Sequence, residues 1–424
     1  MGINGLNKIL KDYSQNKPGI KEVDLNIYRG KCLAIDINIY LYGFAYNPLQ
    51  KKPNSHIDGF FQMICDLLKN GILPVMIFDG KPPKAKADTM KDRTESRQEL
   101  QDKAMGLAKE IDALMNKLEE LEKCNDEKLP GSQSVPDSKS EPEPGSQSVP
   151  VSESDALIKE ISQKQTEMEK YLKRDIKIES SMYSDIKVLF ALMGVPYLQA
   201  IGEADALCVR LYNNGFVSGV LSEDMDILPF SGKLIRGIKE KRILTVTEYN
   251  LPDLLNNIGL TQAQLVDLCI LCGCDYSCKI KNIGPKTAVV LLQKYGNIEG
   301  ILEKHIIPSN QSINPNQKSK YDKENIEQFK KEFPDARAVF LETPGKESLD
   351  NMKEKLVLGK LNQDELLPLL KTKCKYRSET LEKKMKEINH AYSMSFSGVT
   401  NTTTFIAPPK IKPKIILKAK QSST

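Results

Sequence analysis

Short apolar runs of strand length recur in the first half of the chain, and acidic residues follow each of them. The runs are 31–35, 72–78 and 216–221, and the acids that follow them are Asp36, Asp79, Asp224 and Asp226. Largely apolar runs of this length are typical of strands buried on both faces of a parallel sheet. Helical spacing at 57–68 and 204–213 indicates helices that pack on that sheet. The pattern therefore predicts an α/β fold with a mostly parallel sheet.

Further acidic residues stand where other predicted elements begin or end. Glu203 and Asp205 open the helix at 204–213, and Asp275 ends a strongly apolar helical run. Acids suit the first turn of a helix and polar turns, which would explain either acidic pair alone. Carboxylates that converge raise one another's pKa values unless a cation neutralises them. Seven of them at the ends of buried elements favour a divalent-metal site.

Nitrogen and sulfur ligands are scarce around these acids. All three histidines lie away from the acidic motifs, so the predicted site is all oxygen and favours Mg²⁺, with Mn²⁺ as a substitute, over zinc. Four of the nine cysteines, at positions 269, 272, 274 and 278, have a spacing compatible with zinc. Two of these four fall on the apolar helical run, which favours reduced, buried thiols instead.

A regular three-four spacing of aliphatic residues predicts two paired helices in the middle of the chain. The first seam runs from Leu100 to Leu121, and a weaker second seam consists of Ile158, Ile161, Gln165, Met168 and Leu172. Two such helices should pack as an antiparallel hairpin. Residues 125–154 between them are rich in Ser, Pro and acids and contain a near-duplicate, so we predict that they are disordered.

The remaining chain carries weaker signals. We predict edge strands at 233–237 and 242–247, two helices within 251–273, a loop-rich stretch at 306–345, and helices at 349–358, 362–371 and 378–391. The tail after residue 393 is basic and predicted to be disordered.

Eight short motifs, in the same order as in the family, resemble the flap endonucleases, which are XPG-type 5′ nucleases that cut branched DNA with two magnesium ions. They are Met1-Gly2-Ile3-Asn4-Gly5-Leu6, Ala34-Ile35-Asp36, Phe78-Asp79-Gly80-Lys81-Pro82-Pro83, Leu192-Met193-Gly194-Val195-Pro196-Tyr197, Glu203-Ala204-Asp205-Ala206, Glu223-Asp224-Met225-Asp226, Gly273-Cys274-Asp275-Tyr276 and Ile283-Gly284-Pro285-Lys286. The resemblance implies a PIN-like nuclease core, an inserted helical arch and a helix-hairpin-helix DNA-binding element near 262–305.

The resemblance also implies roles for individual residues in catalysis. The first metal site would consist of Asp36, Asp79, Glu203 and Asp205, and the second of Asp224, Asp226 and Asp275. One ion would activate water and the other would stabilise the leaving oxygen. Lys86 and Arg93 match the two basic residues that hold the scissile phosphate.

Other matched positions would contact DNA. Tyr42 falls where the family stacks an aromatic ring on a base, although Tyr40 could equally be the exposed ring. The further DNA contacts implied are Gly2 at the N-terminus, Arg97 on a phosphate, and Gly284 and Lys286 in the hairpin turn, where Asn282 replaces the usual first glycine.

The resulting prediction divides the chain and assigns it a function. The divisions are an N-terminal nuclease region (1–95), an arch insertion (96–185) with its tip at 125–154, an internal nuclease region (186–305), a helical region (306–392) and a basic tail (393–424). The predicted function is a 5′ flap endonuclease with 5′–3′ exonuclease activity in DNA replication and repair. A 5′ exonuclease or junction nuclease of the same family would share every carboxylate. The Gly80-Lys81-Pro82-Pro83 run favours the flap type. Asp205, where flap endonucleases usually have Glu, slightly favours the other two nuclease types. A noncatalytic DNA-binding relative is the third alternative, although all seven acids are present.

Charge and targeting signals complete the prediction. The net charge is +5, but residues 117–161 hold eleven acids against five bases, so the rest is more basic and compatible with a phosphate-binding face. No apolar run approaches the ~18 residues that span a membrane, and we recognise no signal-peptide pattern. We expect a nuclear location, or another site of DNA replication, and branched DNA as the partner. The sliding-clamp motif is not recognisable, because Phe405 stands without an aromatic neighbour, so that partner stays open.

Overall fold

A computed structural model describes most of the chain outside its arch tip and tail. The described residues are 3, 5–45, 54–126, 153–174, 178–237, 245–311, 321–341 and 352–396. The predicted disordered tip at 125–154 lies outside this part except at its two ends, and so does the tail from residue 397 onward.

One mixed sheet organises the molecule. Its described strands are β1 (Ile20–Asp24), β2 (Cys32–Asp36), β3 (Leu73–Phe78), β4 (Tyr197–Gln199), β5 (Val220–Leu221), β6 (Leu234–Arg236) and β7 (Thr245–Tyr249). They lie in the order β1-β7-β6-β5-β2-β3-β4. The five neighbours from β6 to β4 are parallel, and β7 pairs antiparallel with both β6 and β1. The prediction of a mostly parallel sheet is confirmed.

Two details of the strand prediction are wrong. The strand expected at 216–221 shrinks to β5, because the amide of Phe216 donates to Leu211 and thereby closes the end of the preceding helix. The two strands expected at an edge, 233–237 and 242–247, correspond in the described residues to β6 and β7, and both lie inside the sheet. The strand at this edge of the sheet is β1. Its sequence is mostly polar, so it contains no apolar run that would predict a strand.

Helices cover both faces of the sheet. They are α1 (Leu6–Tyr13), α2 (Ile37–Ala45), α3 (Ser55–Lys69), α4 (Ala87–Asp126), α5 (Glu153–Arg174), α6 (Ser180–Leu192), α7 (Ala204–Asn213), α8 (Leu251–Ile258), α9 (Gln262–Cys272), α10 (Pro285–Tyr295), α11 (Ile298–Ile301), α12 (Ile307–Gln311), α13 (Lys323–Leu341), α14 (Gln363–Cys374) and α15 (Ser378–Ile388). Shorter turns are the 3₁₀ segments Leu25–Tyr28, Lys84–Lys86, Met225–Ile227, Lys353–Lys355 and Asn389–Ser393, and the π turn Leu302–Ile306.

Strand alternation divides the interior into two apolar cores. Cys32 and Ala34 of β2 face a core that includes α7, α9 and α10, whereas Leu33 and Ile35 face a second core that includes α3, α6 and α15. All four side chains are buried, as the continuous apolar run predicts. The sheet is thus the middle layer of three.

The arch consists of α4 and α5, which pack against each other. At ~1.5 Å per residue, α4 is about 60 Å long. The seam predicted on α4 is confirmed, since Ala104 and Ile111 are buried. The seam predicted on α5 is confirmed at Ile161, which is buried, and wrong at Ile158, which is 51% exposed while Leu157 is buried in its place. The spacing of apolar residues on α5 is weak enough that either Leu157 or Ile158 could face α4. Packing against α4 buries Leu157.

The C-terminal half departs most from prediction. The stretch expected to be loop-rich contains α13, a helix of 19 residues with Pro334 inside it and with Phe329 and Phe333 buried. Of the helix expected at 349–358, the described part shows only a 3₁₀ turn at Lys353–Lys355. The two helices expected within 251–273, and those near 362–371 and 378–391, are present as α8, α9, α14 and α15. Within the described ranges no single helix is long and apolar enough to cross a membrane; only α8 and α9 taken together, bent by 76°, pass that test.

Candidate active site

The carboxyl ends of four neighbouring parallel strands meet at one edge of the sheet. β2 ends at Asp36, β3 is followed at once by Asp79, and β5 leads into the turn with Asp224. β4 leads into α7, whose N-cap is Glu203 and whose first turn contains Asp205. Parallel pairing therefore brings five acids from four separate segments to the edge where α/β folds bind ligands.

Six of the seven predicted carboxylates line a single cavity of about 490 Å³ at this edge. Asp275 enters from the loop after α9, and Lys86 and Arg93 enter from the base of the arch. Asp226 does not line the cavity but is buried beside Asp224, whose side chain caps the 3₁₀ turn that holds both residues. The structure thus brings together all seven acids and both cations that the sequence singled out.

Burial and mutual repulsion perturb the acids strongly. Burial, and next the charge of Asp79, raise the pKa of Asp36 to about 8. Burial, followed by the surrounding aspartates, also holds the pKa values of Asp205 and Asp226 well above their ordinary value. In the absence of a counter-charge, this arrangement disfavours the ionised carboxylates.

Two buried oxygens at this site lack a partner. Oδ1 of Asp205 and Oδ1 of Asp226 accept no hydrogen bond from any described residue. A buried carboxylate oxygen without a donor is costly, and a hard divalent cation is the ligand that such oxygens suit. In the described ranges no three His, Cys, Asp or Glu side chains are already arranged to hold a metal ion. The donor set nevertheless fits Mg²⁺ or Mn²⁺ by its chemistry.

The two cations at the base of the arch pair with two of the other acids, Glu203 and Asp275. Lys86 forms an ion pair with Glu203 and lies 3.3 Å from Oδ2 of Asp275. Arg93 donates to both oxygens of Asp275, at 2.8 and 2.7 Å. Burial alone would lower the pKa of Lys86, but Glu203 and Asp275 raise it above its usual value. Lys86 is therefore charged, and it lines the cavity together with Arg93.

Several polar residues that lie at the site were not predicted from the sequence. Asn38 and Gln199 donate to the side chain and the backbone carbonyl of Asp79, respectively. The hydroxyl of Tyr276 donates to Glu203, and that of Thr89 donates to the carbonyl of Asp275 at 2.7 Å. Tyr276 directly follows Asp275 in a motif already recognised, so its position could have flagged it.

The choice between the two aromatic candidates on α2 is settled by burial. Tyr40 is 5% exposed, whereas Tyr42 is half-buried and lines the cavity. Arg97 of α4 donates to the Tyr42 hydroxyl at 3.3 Å. Tyr42 is therefore the ring that a ligand in this cavity can reach, with Arg97 beside it.

The remaining predicted DNA contacts lie elsewhere. Gly284 caps α10, and Lys286, 80% exposed at its side chain, lies 3.7 Å from Asp12 of α1; neither lines the cavity. Asn282 has a left-handed backbone with φ of 69°, the conformation that a glycine there would adopt freely. Gly2 lies outside the described residues.

Comparison with known proteins decides the family. Residues 1–100 match the XPG N-terminal domain and residues 194–275 match the XPG I-region. Flap endonuclease 1 of Xiphophorus maculatus is 35% identical over 316 residues, which are 72% of this chain and 69% of that protein. Flap endonuclease 1 of Danio rerio is 30% identical over 414 residues, or 95% of this chain and 90% of that protein. The chain belongs to the flap endonuclease family of XPG-type nucleases.

Solved structures agree on the fold. The catalytic core of Rad2 in complex with DNA substrate has a TM-score of 0.60 at 20% identity, covering 91% of this chain and 100% of that one. Flap endonuclease-1 from Methanococcus jannaschii has a TM-score of 0.56 at 20% identity, covering 92% and 99%. These likenesses confirm the predicted PIN-like nuclease fold, and family membership confirms the enzyme class, a nuclease.

Proposed function

We propose that this chain is a structure-specific 5′ flap endonuclease, with 5′–3′ exonuclease activity, that removes 5′ flaps from branched DNA during replication and repair by metal-dependent phosphodiester hydrolysis. The observation that carries the proposal is the convergence of seven carboxylates at one sheet edge, with the buried Oδ1 atoms of Asp205 and Asp226 left without partners. Membership of the flap endonuclease family supplies the substrate class.

Two Mg²⁺ ions are the proposed cofactors, with Mn²⁺ as a substitute. Asp36, Asp79, Glu203 and Asp205 would hold one ion, and Asp224, Asp226 and Asp275 the other, several of them through water. Bound in pairs, such ions supply Lewis-acid stabilisation of phosphoryl oxygens and lower the pKa of water. Their charge would also remove the repulsion that raises the pKa values of Asp36, Asp205 and Asp226.

The chain's own cations have a separate role. Lys86 and Arg93 hold Glu203 and Asp275 in this structure, and both project into the cavity from the arch. When a phosphate enters, we propose that these cations transfer their contacts to its oxygens and stabilise the negative charge that develops there. A guanidinium suits this exchange, because its planar fork matches phosphate as well as carboxylate.

Surfaces around the cavity would orient the DNA. We propose that Tyr42 stacks on a base beside the scissile phosphate, that Arg97 contacts a neighbouring phosphate, and that Gly2 contacts the DNA. Gly284 and Lys286 at the start of α10 would hold a duplex phosphate, since the first amides of a helix favour anions. We also propose that the chain divides as predicted, into nuclease regions at 1–95 and 186–305, the arch at 96–185, and the segments 306–392 and 393–424.

The cellular setting follows from the substrate. We place the protein in the nucleus or at another site of DNA replication, where 5′ flaps arise. Phe405, around which no sliding-clamp motif is recognisable, lies with the rest of residues 397–424 outside the described part of the chain.

Replacing one carboxylate tests the proposed chemistry. Asp224→Ala should bind 5′-flap DNA with unchanged affinity in gel-shift assays and fail to cut it at saturating Mg²⁺, because one donor is missing from the second ion site. Full cleavage by this variant would remove Asp224 from the mechanism. A panel of double-flap, nicked, blunt and four-way substrates, cut by the wild-type protein, separates a flap endonuclease from an exonuclease or a junction nuclease.

A further inference from the structure

Asn38 and Tyr183 line the active-site cavity, yet neither carries a charge that the proposed chemistry uses. Asn38 lies in the first turn of α2, and Tyr183 lies in the first turn of α6, the helix that follows the arch helices α4 and α5 in the chain. We propose that Tyr183 and Asn38 form a positioning relay, in which the helix that follows the arch orients the Asp79 carboxylate through the Asn38 amide. The inference rests on the proposed function in that it takes Asp79 to be a metal ligand.

Hydrogen bonds give the relay its direction. The Tyr183 hydroxyl donates to Oδ1 of Asn38 at 3.0 Å, and Nδ2 of Asn38 donates to Oδ2 of Asp79. The other oxygen of Asp79, Oδ1, accepts from the backbone amide of Ala204 at 2.6 Å. Both oxygens of Asp79 are therefore held by donors, which fixes the plane of the carboxylate.

The Asp79 carboxylate decides which end of the Asn38 amide faces it, and the Tyr183 hydroxyl holds the amide in that orientation. An asparagine amide has an acceptor end and a donor end of nearly equal shape, and its orientation follows from its partners. Because a carboxylate only accepts, the nitrogen of Asn38 faces Asp79, and the oxygen is left for the Tyr183 hydroxyl, which donates to it. Without that hydroxyl, the amide loses the bond that fixes its far end and can rotate away from Asp79.

Asn38 also contacts the neighbouring acid. Its backbone amide donates to Oδ1 of Asp36 at 2.9 Å. One residue therefore touches both Asp36 and Asp79, the two acids that follow adjacent parallel strands. A shift of Asn38 would change the separation and the relative orientation of these two carboxylates together.

Both ends of the arch insertion reach the same face of α2. Tyr42 lies four residues after Asn38, which places the two side chains one turn apart on that helix. Arg97, on the outgoing helix α4, donates to Tyr42, and Tyr183, on the helix after the returning α5, donates to Asn38. A displacement of the arch at either end thus reaches α2 and, through Asn38, the carboxylates.

The variants Tyr183→Phe, Asn38→Ala and the double variant test the relay in the full-length chain. The Tyr183 ring lies 6.3 Å from the Phe78 ring, a contact that phenylalanine retains, so the first variant should fold normally. We expect Asn38→Ala to lower kcat on 5′-flap DNA by about 10- to 100-fold and Tyr183→Phe to lower it by about 5-fold, with KM for DNA unchanged in both. The double variant should be no slower than Asn38→Ala, because both substitutions remove one pathway.

A second measurement does not depend on cleavage. Mg²⁺ should raise the melting temperature of the wild-type protein, and the Mg²⁺ concentration for half of that rise should increase by about 10-fold in Asn38→Ala. Tyr171→Phe is the matched control, since the Tyr171 hydroxyl donates to Glu167 on the arch surface, away from the cavity; neither kcat nor the Mg²⁺ response should change. Asn38→Asp, which repels Asp79, should be slower than Asn38→Ala.

The relay is contradicted if the loss of kcat in the double variant equals the product of the losses in the two single variants. It is also contradicted if Asn38→Asp is as active as the wild type, or if Asn38→Ala needs the same Mg²⁺ concentration as the wild type for half of the rise in melting temperature. These outcomes differ from a failure of the proposed function, in which the wild-type protein itself neither cuts 5′-flap DNA nor melts at a higher temperature with Mg²⁺; the relay would then fall with it.

Discussion

Two buried aspartates in different parts of this molecule, Asp267 and Asp226, are treated in opposite ways. Asp267 of α9 is 3% exposed, and both its oxygens have protein donors: Arg337 of α13 at 2.8 Å and the amide of Ile298 at 3.2 Å. Asp226 is 6% exposed, and its Oδ1 has no donor among the described residues.

The difference shows where the fold supplies its own counter-charge and where it leaves that task to a ligand. Burial raises the pKa of Asp267, but Arg337 opposes the rise with an ion pair and a hydrogen bond. At Asp226 burial raises the pKa, and the neighbouring Asp224 raises it further. A carboxylate kept without a partner costs stability, which is typical of functional sites.

The largest expected effect comes from making the two aspartates neutral. Asp226→Asn should slow cleavage of 5′-flap DNA on the order of 100- to 1000-fold. In EDTA at pH 8 it should raise the free energy of unfolding by about 1 kcal/mol, because a source of repulsion is gone. Asp267→Asn should do the reverse, leaving kcat near that of the wild type and lowering stability, since Arg337 loses its charged partner. Both stability changes are measured by urea unfolding. If both substitutions stabilise the protein, or both destabilise it, the two aspartates do not differ as we propose.

Removing the counter-charge of Asp267 is the next test. Arg337→Ala should lower the free energy of unfolding by about 3–5 kcal/mol, because it leaves an unpaired charge in a closed site. Arg337 also bonds Glu299, at 2.6 and 3.0 Å, so part of the loss belongs to that contact. Lys330→Ala, which breaks the exposed pair with Glu327 on the same helix, is the control and should change stability by less than about 0.5 kcal/mol.

A pH series without metal should expose the unpartnered acids. The folded-state pKa of Asp36 is about 8 against an ordinary value of 3.8, so its protonated form is the one that the fold favours. That contribution to stability is complete below the ordinary value and is lost as the pH rises through about 8. In EDTA the melting temperature should therefore fall between pH 5 and pH 8 more steeply in the wild type than in Asp36→Asn. Mg²⁺ should flatten the curve, and a curve already flat in EDTA would contradict the electrostatic account.

The smallest effect is expected where water reaches the charges. Lys164 of α5 forms a 2.6 Å pair with Glu110 of α4 on the arch surface. Lys164→Ala should leave the urea midpoint unchanged within error, because solvent screens such a pair. A measurable loss would show that the arch depends on this contact and that exposure alone does not separate important pairs from unimportant ones.

Sequence patterns predicted the parts of the fold that depend on local apolar content. The strands that end at Asp36 and precede Asp79 are continuous apolar runs, and their parallel pairing follows from burial on both faces. The seven acids were found because each stands where a predicted strand or helix begins or ends. Helix α13 was missed because its polar residues and Pro334 conceal three buried phenylalanines, which are recognisable only once α9 lies beside them.

Partnerships between distant residues were beyond the reach of sequence patterns. Asn38 meets Tyr183, 145 residues away, and neither position has an unusual local composition. The one-residue error on α5 has a similar cause, since Leu157 and Ile158 are both aliphatic and only the surface of α4 distinguishes them. Local chemistry thus identified the acids, whereas the contacts that orient them required the assembled fold.

Strand β2 has a consequence for the genetics of the protein. Its adjacent residues Ala34 and Ile35 face opposite cores, both are completely buried, and Asp36 is the next residue along the chain. A packing defect in either interior therefore displaces the same carboxylate. Temperature-sensitive alleles that lose nuclease activity should consequently map throughout both hydrophobic interiors, with no clustering around the cavity.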